Sequence, residues 1–118
     1  MTHPVVAARR RQQAELIERV REWAAALDTR VPGVVAVVVF GSVARGDFNK
    51  WSDTDVLVVA DELPADHLAR AEVLAPVPPG VQPVAWTRDE LHEARRKRNP
   101  IARESDEIGV CVHGSLPA

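Results

Sequence analysis

The chain contains a single cysteine, Cys111, among its 118 residues, so it cannot form an internal disulfide. Aromatic residues are also few, with three tryptophans, two phenylalanines and no tyrosine. Aliphatic side chains must therefore build the core, and valine and alanine supply most of them. This composition excludes a disulfide-stapled secreted scaffold and suits a fold that forms in a reducing cytosol.

Long apolar segments are missing as well. No apolar run approaches the length of about 20 residues that a membrane-spanning helix needs. Arginines 9–11 are not followed by an apolar block, so we expect no secretory signal and predict a cytoplasmic protein. The length suits one domain over residues 1–118, with an N-terminal helix in residues 1–30 and a core in residues 33–113.

The net charge is −2, which is too small for bulk attraction to a polyanion, but the charges are unevenly distributed. Residues 31–75 contain seven acidic and three basic side chains. This acidic middle third is either a solvated surface or a place where a cation binds. The basic runs at residues 9–11 and 95–98 are either solvated helix ends or contacts for a polyanion, and we expect no nucleic-acid partner.

Hydrophobic patterns predict elements in the order α-β-β-α-β-α-β. Apolar runs predict strands over residues 34–40, 54–59, 81–86 and 108–113, and Pro83 assigns the third strand to a sheet edge or a bulge. Helices are predicted over residues 5–29 and 64–74, from residue 88 towards 98, and over 101–107. A loop of about 13 residues joins the first two strands without a full crossover helix. We therefore predict an α/β (α+β) fold with a small mixed sheet flanked by helices.

The segment Gly41-Ser42-Val43-Ala44-Arg45-Gly46 directly follows the first predicted strand. Gly41 permits a sharp turn and a close approach of a ligand to the backbone. The Ser42 hydroxyl and the free N–H groups of a short helical turn suit a phosphate, and Arg45 adds a positive guanidinium. Taken alone, a Gly-Ser pair is more typical of an ordinary turn between a strand and a helix than of a phosphate site.

A second motif, Ser52-Asp53-Thr54-Asp55, begins the next predicted strand. Asp53 and Asp55 are two residues apart, so their side chains point to the same face, about 7 Å apart along the strand. Two carboxylates on one face repel each other, and a divalent cation such as Mg²⁺ removes that repulsion. Alone this spacing is typical of a solvated strand end. Beside a phosphate-binding turn it indicates phosphoryl or nucleotidyl transfer.

Together the two motifs resemble the signature of the polymerase-beta-like nucleotidyltransferase superfamily, and in particular its minimal, antitoxin-type branch. The resemblance implies that Gly41 and Ser42 hold the terminal phosphates of a nucleoside triphosphate, with Arg45 and Ser52 in the same nucleotide-binding set. It also implies that the catalytic residues Asp53 and Asp55 bind one or two Mg²⁺ (or Mn²⁺) ions, which stabilise the leaving pyrophosphate.

One feature departs from the family pattern. The family usually places a third carboxylate on the next central strand, but residues 81–86 contain no acid, and Gln82 stands near the expected position. An amide oxygen can contact a metal, yet it cannot accept the proton of an attacking hydroxyl. Asp47, Asp61 or a residue of a partner protein are alternative sources of that carboxylate.

The resemblance implies a nucleotidyltransferase that moves a nucleoside monophosphate, AMP from ATP, onto an acceptor hydroxyl. Small members of this family are commonly antitoxins, paired with a helical HEPN-type toxin that they modify or mask, so a protein acceptor supplied in trans is the simplest interpretation. The alternative hypothesis is a catalytically weak module that binds nucleotide or its partner without turnover. The identity of the nucleotide, the acceptor and the oligomeric state stay open.

Overall fold

The computed structural model describes residues 3–118 and confirms the predicted mixed α/β fold. Its elements follow one another as α1 (Pro4–Asp28), β1 (Val34–Phe40), α2 (Gly41–Arg45), β2 (Thr54–Ala60), α3 (His67–Leu74), β3 (Val81–Trp86), α4 (Arg88–Arg96), α5 (Pro100–Glu107) and β4 (Val110–Gly114). Within these described residues, no helix is both long enough and apolar enough to span a bilayer.

The four strands form one sheet in the order β3-β2-β1-β4. Strand β1 pairs antiparallel with β2 and β4, whereas β2 pairs parallel with β3, so the sheet is mixed as predicted. Strand β3 lies at an edge of the sheet, which is where a proline such as Pro83 is tolerated because it has no backbone N–H to donate.

Apolar side chains cover both faces of the sheet. On one face, α1 packs its buried residues Val20, Trp23 and Leu27 against alternate strand residues such as Val37 and Val39. On the other face, residues of α4 and α5 pack against the remaining alternate positions, which are Phe40, Leu57 and Val59. The two central strands are therefore continuous apolar runs because neither face is in contact with water.

Local capping interactions set several helix boundaries. Helix α4 begins with the predicted capping box, in which Thr87 and Glu90 each bond the backbone N–H of the other. Helix α3 begins at His67 rather than at residue 64, because the Asp66 side chain accepts a hydrogen bond from the N–H of Leu68 and caps the helix there. The residue pattern of 64–74 does not by itself mark where the loop ends and the helix begins.

Arg70 of α3 is a buried arginine that joins three parts of the fold. Its Nε donates to the carbonyl oxygen of Pro64 (2.6 Å), and its Nη1 donates to the carbonyl of Ala85 (3.0 Å) and to Oε1 of Glu90 (2.8 Å). Partial burial raises the pKa of Glu90, but hydrogen bonds from the Thr87 N–H and from Arg70 outweigh it and lower that pKa overall. Arg70 thus ties α3 to β3 and to the start of α4.

We predict that Arg70→Met lowers the free energy of unfolding by about 2–3 kcal/mol, because it leaves the carbonyls of Pro64 and Ala85 without this donor and removes the buried partner of the ion pair with the partly exposed Glu90. Urea denaturation measures this loss. Arg88→Met is the matched control, since Arg88 pairs with Asp61 on the surface, and the loss there should stay below about 1 kcal/mol. Equal losses in the two variants would contradict the structural role of Arg70.

Candidate functional site

The two sequence motifs meet because of the register between β1 and β2. Phe40, the last residue of β1, pairs with Asp55, so the turn that begins at Gly41 leaves the sheet beside the Asp55 carboxylate. Gly41 has a φ of +73°, and a Cβ at this position would lie 3.2 Å from Cγ and 3.3 Å from Cβ of Asp55, with the Oδ2 atom closer still. The Asp55 carboxylate therefore fills the space that any larger residue at position 41 would need.

Asp53 and Asp55 lie at the start of β2 with one residue between them, so they share a face of the sheet. Asp53 is exposed and Asp55 is half-buried. Burial and the negative charge of Asp53 both raise the pKa of Asp55, Glu104 raises it further, and the positive charge of Arg45 opposes them. Among residues 3–118, neither aspartate takes part in an ion pair. A cation near both would relieve this repulsion.

The chemistry of these donors fits a hard divalent cation. Carboxylate oxygens are preferred ligands of Mg²⁺, which also keeps waters and takes phosphate oxygens from a substrate. The part of the chain that the structure describes holds no gathered group of three or more acidic, histidine or cysteine side chains that would form a complete protein-only site. The pair Asp53 and Asp55 therefore suits a metal whose remaining ligands come from water and nucleotide.

The other predicted site residues lie around this pair. Ser42 is half-buried in the first turn of α2, and its carbonyl accepts hydrogen bonds from the N–H groups of Gly46 (2.9 Å) and Asp47 (3.1 Å). The Ser52 hydroxyl accepts a hydrogen bond from the N–H of Asn49 (3.0 Å) and closes the turn before Asp53. Arg45 ends α2, and carboxylates on both sides of it hold its guanidinium.

Gln82 occupies the position beside Asp55 on the neighbouring strand. It is the parallel pairing partner of Asp55, and paired residues of adjacent strands point to the same face. Of the other acids considered, Asp47 bonds Arg45 at 3.1 Å, whereas Asp61 bonds Arg88 at 2.8 Å. Asp61 follows the far end of β2, and that strand length separates it from Asp55 by roughly 20 Å.

Sequence reasoning missed one carboxylate, that of Glu104 in α5. Its Oε1 accepts a hydrogen bond from Nη1 of Arg45 at 2.6 Å, and its charge acts on Asp55. The two bonded residues are 59 positions apart in the chain, and no local motif surrounds Glu104. Only the packing of α5 on the sheet brings this acid to the site.

A groove of about 450 Å³ opens beside Ser52, between α1 and the loop that precedes β2. Its lining combines three basic residues and one acid with two apolar side chains: Arg9, Arg19, Lys50, Glu15, Leu16 and Phe48. Trp51 stands in the same loop with 81% of its surface exposed, and the Lys50 ammonium lies 4.9 Å from its ring centre. The exposed ring is thus available for stacking and does not anchor the loop.

A comparison with known protein families shows to which family the chain belongs. A family model described as a nucleotidyltransferase domain matches residues 20–111. This range includes both motifs, the whole of β1, β2 and β3, and the first two residues of β4. The chain belongs to this nucleotidyltransferase domain family. The resemblance inferred from Gly41-Ser42 and Asp53-x-Asp55 is thereby confirmed, and the protein is a member of a transferase family.

Two curated relatives of this nucleotidyltransferase domain come from Methanocaldococcus jannaschii, and both are named as candidate protein adenylyltransferases. MJ0141 is 39% identical over 51 residues, which are 42% of this chain and 52% of MJ0141. MJ1305 is 42% identical over 41 residues, which are 35% of this chain and 28% of MJ1305. The chain thus spans about half of one relative and less than a third of the other.

Two solved structures share the fold. A candidate nucleotidyltransferase from Sulfolobus solfataricus superposes with a TM-score of 0.65 at 19% identity, covering 93% of this chain and 87% of that one. A crystal structure of a toxin–antitoxin with AMP-PNP superposes with a TM-score of 0.59 at 21% identity, covering 80% of this chain and 73% of that one. At these identities the likeness establishes the shared fold.

We predict that Asp55→Asn stabilises the metal-free protein at neutral pH. Because the folded-state pKa of Asp55 is raised, the folded protein binds this proton more tightly than the unfolded chain, and stability falls as the pH rises through that interval. The variant lacks the ionised group, so its melting temperature should exceed that of the natural protein at pH 7. The difference should shrink as the pH falls below about 4, the ordinary pKa of an aspartate, because the carboxyl then becomes protonated in both states.

Thermal unfolding in the presence of a chelator measures this effect. Glu62→Gln is the matched control because it removes one negative charge from an exposed side chain beyond the far end of β2. The difference between its melting temperature and that of the natural protein should not increase between pH 4 and pH 7. A melting temperature for Asp55→Asn below that of the natural protein at pH 7 would show that the Asp55 carboxylate stabilises the fold.

Proposed function

We propose that this nucleotidyltransferase domain transfers AMP from ATP to an acceptor hydroxyl in a reaction that depends on Mg²⁺ or Mn²⁺. The observation that carries the proposal is the contact of the Gly41 turn with the Asp55 carboxylate, with Asp53 on the same face. This contact supports the proposal because it joins a backbone turn suited to phosphate with a carboxylate pair suited to a cation, in a chain of the matching family.

Each residue of the site has a proposed role. Gly41 lets the triphosphate approach the backbone, and Ser42 donates its hydroxyl and N–H to the terminal phosphates, with Arg45 and Ser52 completing the nucleotide-binding set. Asp53 and Asp55 hold the divalent cation, which supplies charge stabilisation for the leaving pyrophosphate. The acceptor oxygen bonds to the α-phosphorus, the bond from that phosphorus to pyrophosphate breaks, and the hydroxyl proton passes to solvent or to a base.

The proposed acceptor is a protein side chain. The relatives in M. jannaschii are named as candidate protein adenylyltransferases, and one structure with the same fold is a toxin–antitoxin with AMP-PNP. These relationships support a partner toxin as the acceptor, and the sequence resemblance points to a small helical toxin of the HEPN type. The reaction would take place in the cytosol, where ATP and Mg²⁺ are abundant.

A second candidate function is a binding module without turnover. The observation that favours it is the position of Gln82, which pairs with Asp55 at the point where an acid would be needed. An amide can neither accept the acceptor's proton nor neutralise a second cation. Under this hypothesis the domain would bind nucleotide or mask its partner with the same surface.

The metal-binding pair is tested by the double substitution Asp53→Asn and Asp55→Asn. We expect calorimetry with ATP and Mg²⁺ to show at least roughly tenfold weaker binding, because both carboxylates that would hold the cation are removed. The control is the double substitution Asp61→Asn and Glu62→Gln, which makes the same change of charge beyond the other end of β2. Unchanged ATP binding in the first double variant would refute the site.

Turnover is tested by the position of Gln82. The assay uses ATP labelled on the α-phosphate and, as the candidate acceptor, the protein encoded by the gene adjacent to that of this chain. We expect Gln82→Asp to raise the rate of label transfer by up to roughly 10²-fold, because it adds a general base beside Asp55. Gln82→Asn is the isosteric control without a charge, and it should give no increase. Label transfer by the natural protein supports the enzyme, whereas nucleotide binding with no transfer by any of the three forms favours the binding module.

A further inference from the structure

Arg45 lies next to the candidate cation site but is bonded elsewhere. Its Nε donates to Oδ2 of Asp47 at 3.1 Å, and its Nη1 donates to Oε1 of Glu104 at 2.6 Å. The hydrogen bond that Arg45 donates to Asp47 and the nearby carboxylate charges raise the pKa of the guanidinium. Asp47 is a near neighbour in the chain. Glu104, in contrast, reaches Arg45 from α5, on the face of the sheet that α4 and α5 cover.

The same guanidinium is within electrostatic reach of Asp55. The positive charge of Arg45 favours the ionised form of Asp55, and the negative charge of Glu104 disfavours it. Arg45 ends the short helix α2, whose first residue, Gly41, lies against the Asp55 carboxylate. A guanidinium that formed a charge-assisted pair with this carboxylate would occupy the oxygens that a cation needs. The bond to Glu104 directs the guanidinium towards α5 and leaves Asp53 and Asp55 without an ion-pair partner among the described residues.

We propose that Glu104 is a positioning residue that holds Arg45 away from Asp53 and Asp55, so that both carboxylates remain available to a divalent cation. This proposal rests on the proposed function in one respect, the binding of a cation by the two aspartates. It assigns a role to α5, which carries none of the recognised motifs. Without Glu104, Nη1 of Arg45 loses its partner while Asp47 still holds Nε, and we expect the released end of the guanidinium to turn to Asp55 and compete with the cation for its oxygens.

The test measures Mn²⁺ binding and needs no turnover. Free Mn²⁺ is followed by electron paramagnetic resonance as the metal is added to the full chain with α,β-methylene-ATP, and a titration without protein gives the baseline. We expect Glu104→Gln to weaken Mn²⁺ binding by roughly tenfold, the effect usual for groups that orient metal ligands. Asp106→Asn is the matched control, because Asp106 also joins α5 to an arginine, Arg95, through a two-point pair at 2.8 and 3.0 Å. It should change the affinity by less than about twofold.

A double-mutant cycle separates positioning from simple charge. In the background of Arg45→Gln there is no guanidinium to hold, so adding Glu104→Gln should leave Mn²⁺ affinity unchanged. If Glu104→Gln weakens binding equally in both backgrounds, Glu104 attracts the cation directly and the positioning role is wrong. No effect of Glu104→Gln in the natural background would also overturn it. If the double variant Asp53→Asn and Asp55→Asn binds Mn²⁺ as tightly as the natural protein does, the proposed metal site is wrong, and this inference is wrong with it.

Discussion

The antiparallel register of β1 with β2 is the constraint on which the candidate site depends. It sets Phe40 opposite Asp55, and the chain turns at the next residue, Gly41, against the aspartate carboxylate. A slip of one residue would send Asp55 to the other face, where α1 packs, and would turn apolar strand residues towards the site. The burial of both faces of β1 and β2 therefore fixes the geometry of the two motifs, and Val43 of the first motif is itself part of the core.

The site retains charge repulsion that folding does not remove. Asp55 is half-buried beside Asp53, and Glu104 adds a further negative charge nearby, so the pKa of Asp55 is raised. Buried apolar residues throughout the sheet supply the stability that allows this arrangement to persist. A site with unrelieved negative charge binds a cation more strongly than neutral surroundings would, because the cation gains the repulsion energy as well as its own attraction.

The C-terminal third of the chain contributes to the site without containing a motif. Helix α5 packs through Ala102 on the same face of the sheet that carries Leu57 and Asp55, and this packing presents Glu104 to Arg45. The candidate site is thus assembled from α2, β2 and α5. Changes in the packing of α5 can alter the electrostatics of the aspartate pair although no residue of α5 belongs to the signature.

Much of the fold and the centre of the site could be predicted from the sequence because the signals are local. The uninterrupted run of residues 34–40 indicates a strand buried on both faces, and the Thr87–Glu90 capping box marks the start of α4. The connection of about 13 residues between the first two strands has no full crossover helix, which favours a mixed or antiparallel sheet. Asp53 and Asp55 share a face because strand side chains alternate, which holds in any strand.

The tertiary structure alone decided which distant residues meet. It placed Gln82 beside Asp55 through the parallel register of β3, brought Glu104 to Arg45 from α5, and set the Asp55 carboxylate against Gly41. Periodicity and turn chemistry describe neighbours in the chain, whereas these contacts depend on how separate elements pack. Their relative positions are determined by the burial of apolar surface, which is non-directional and shared over the whole sheet, so no short segment of the sequence specifies them.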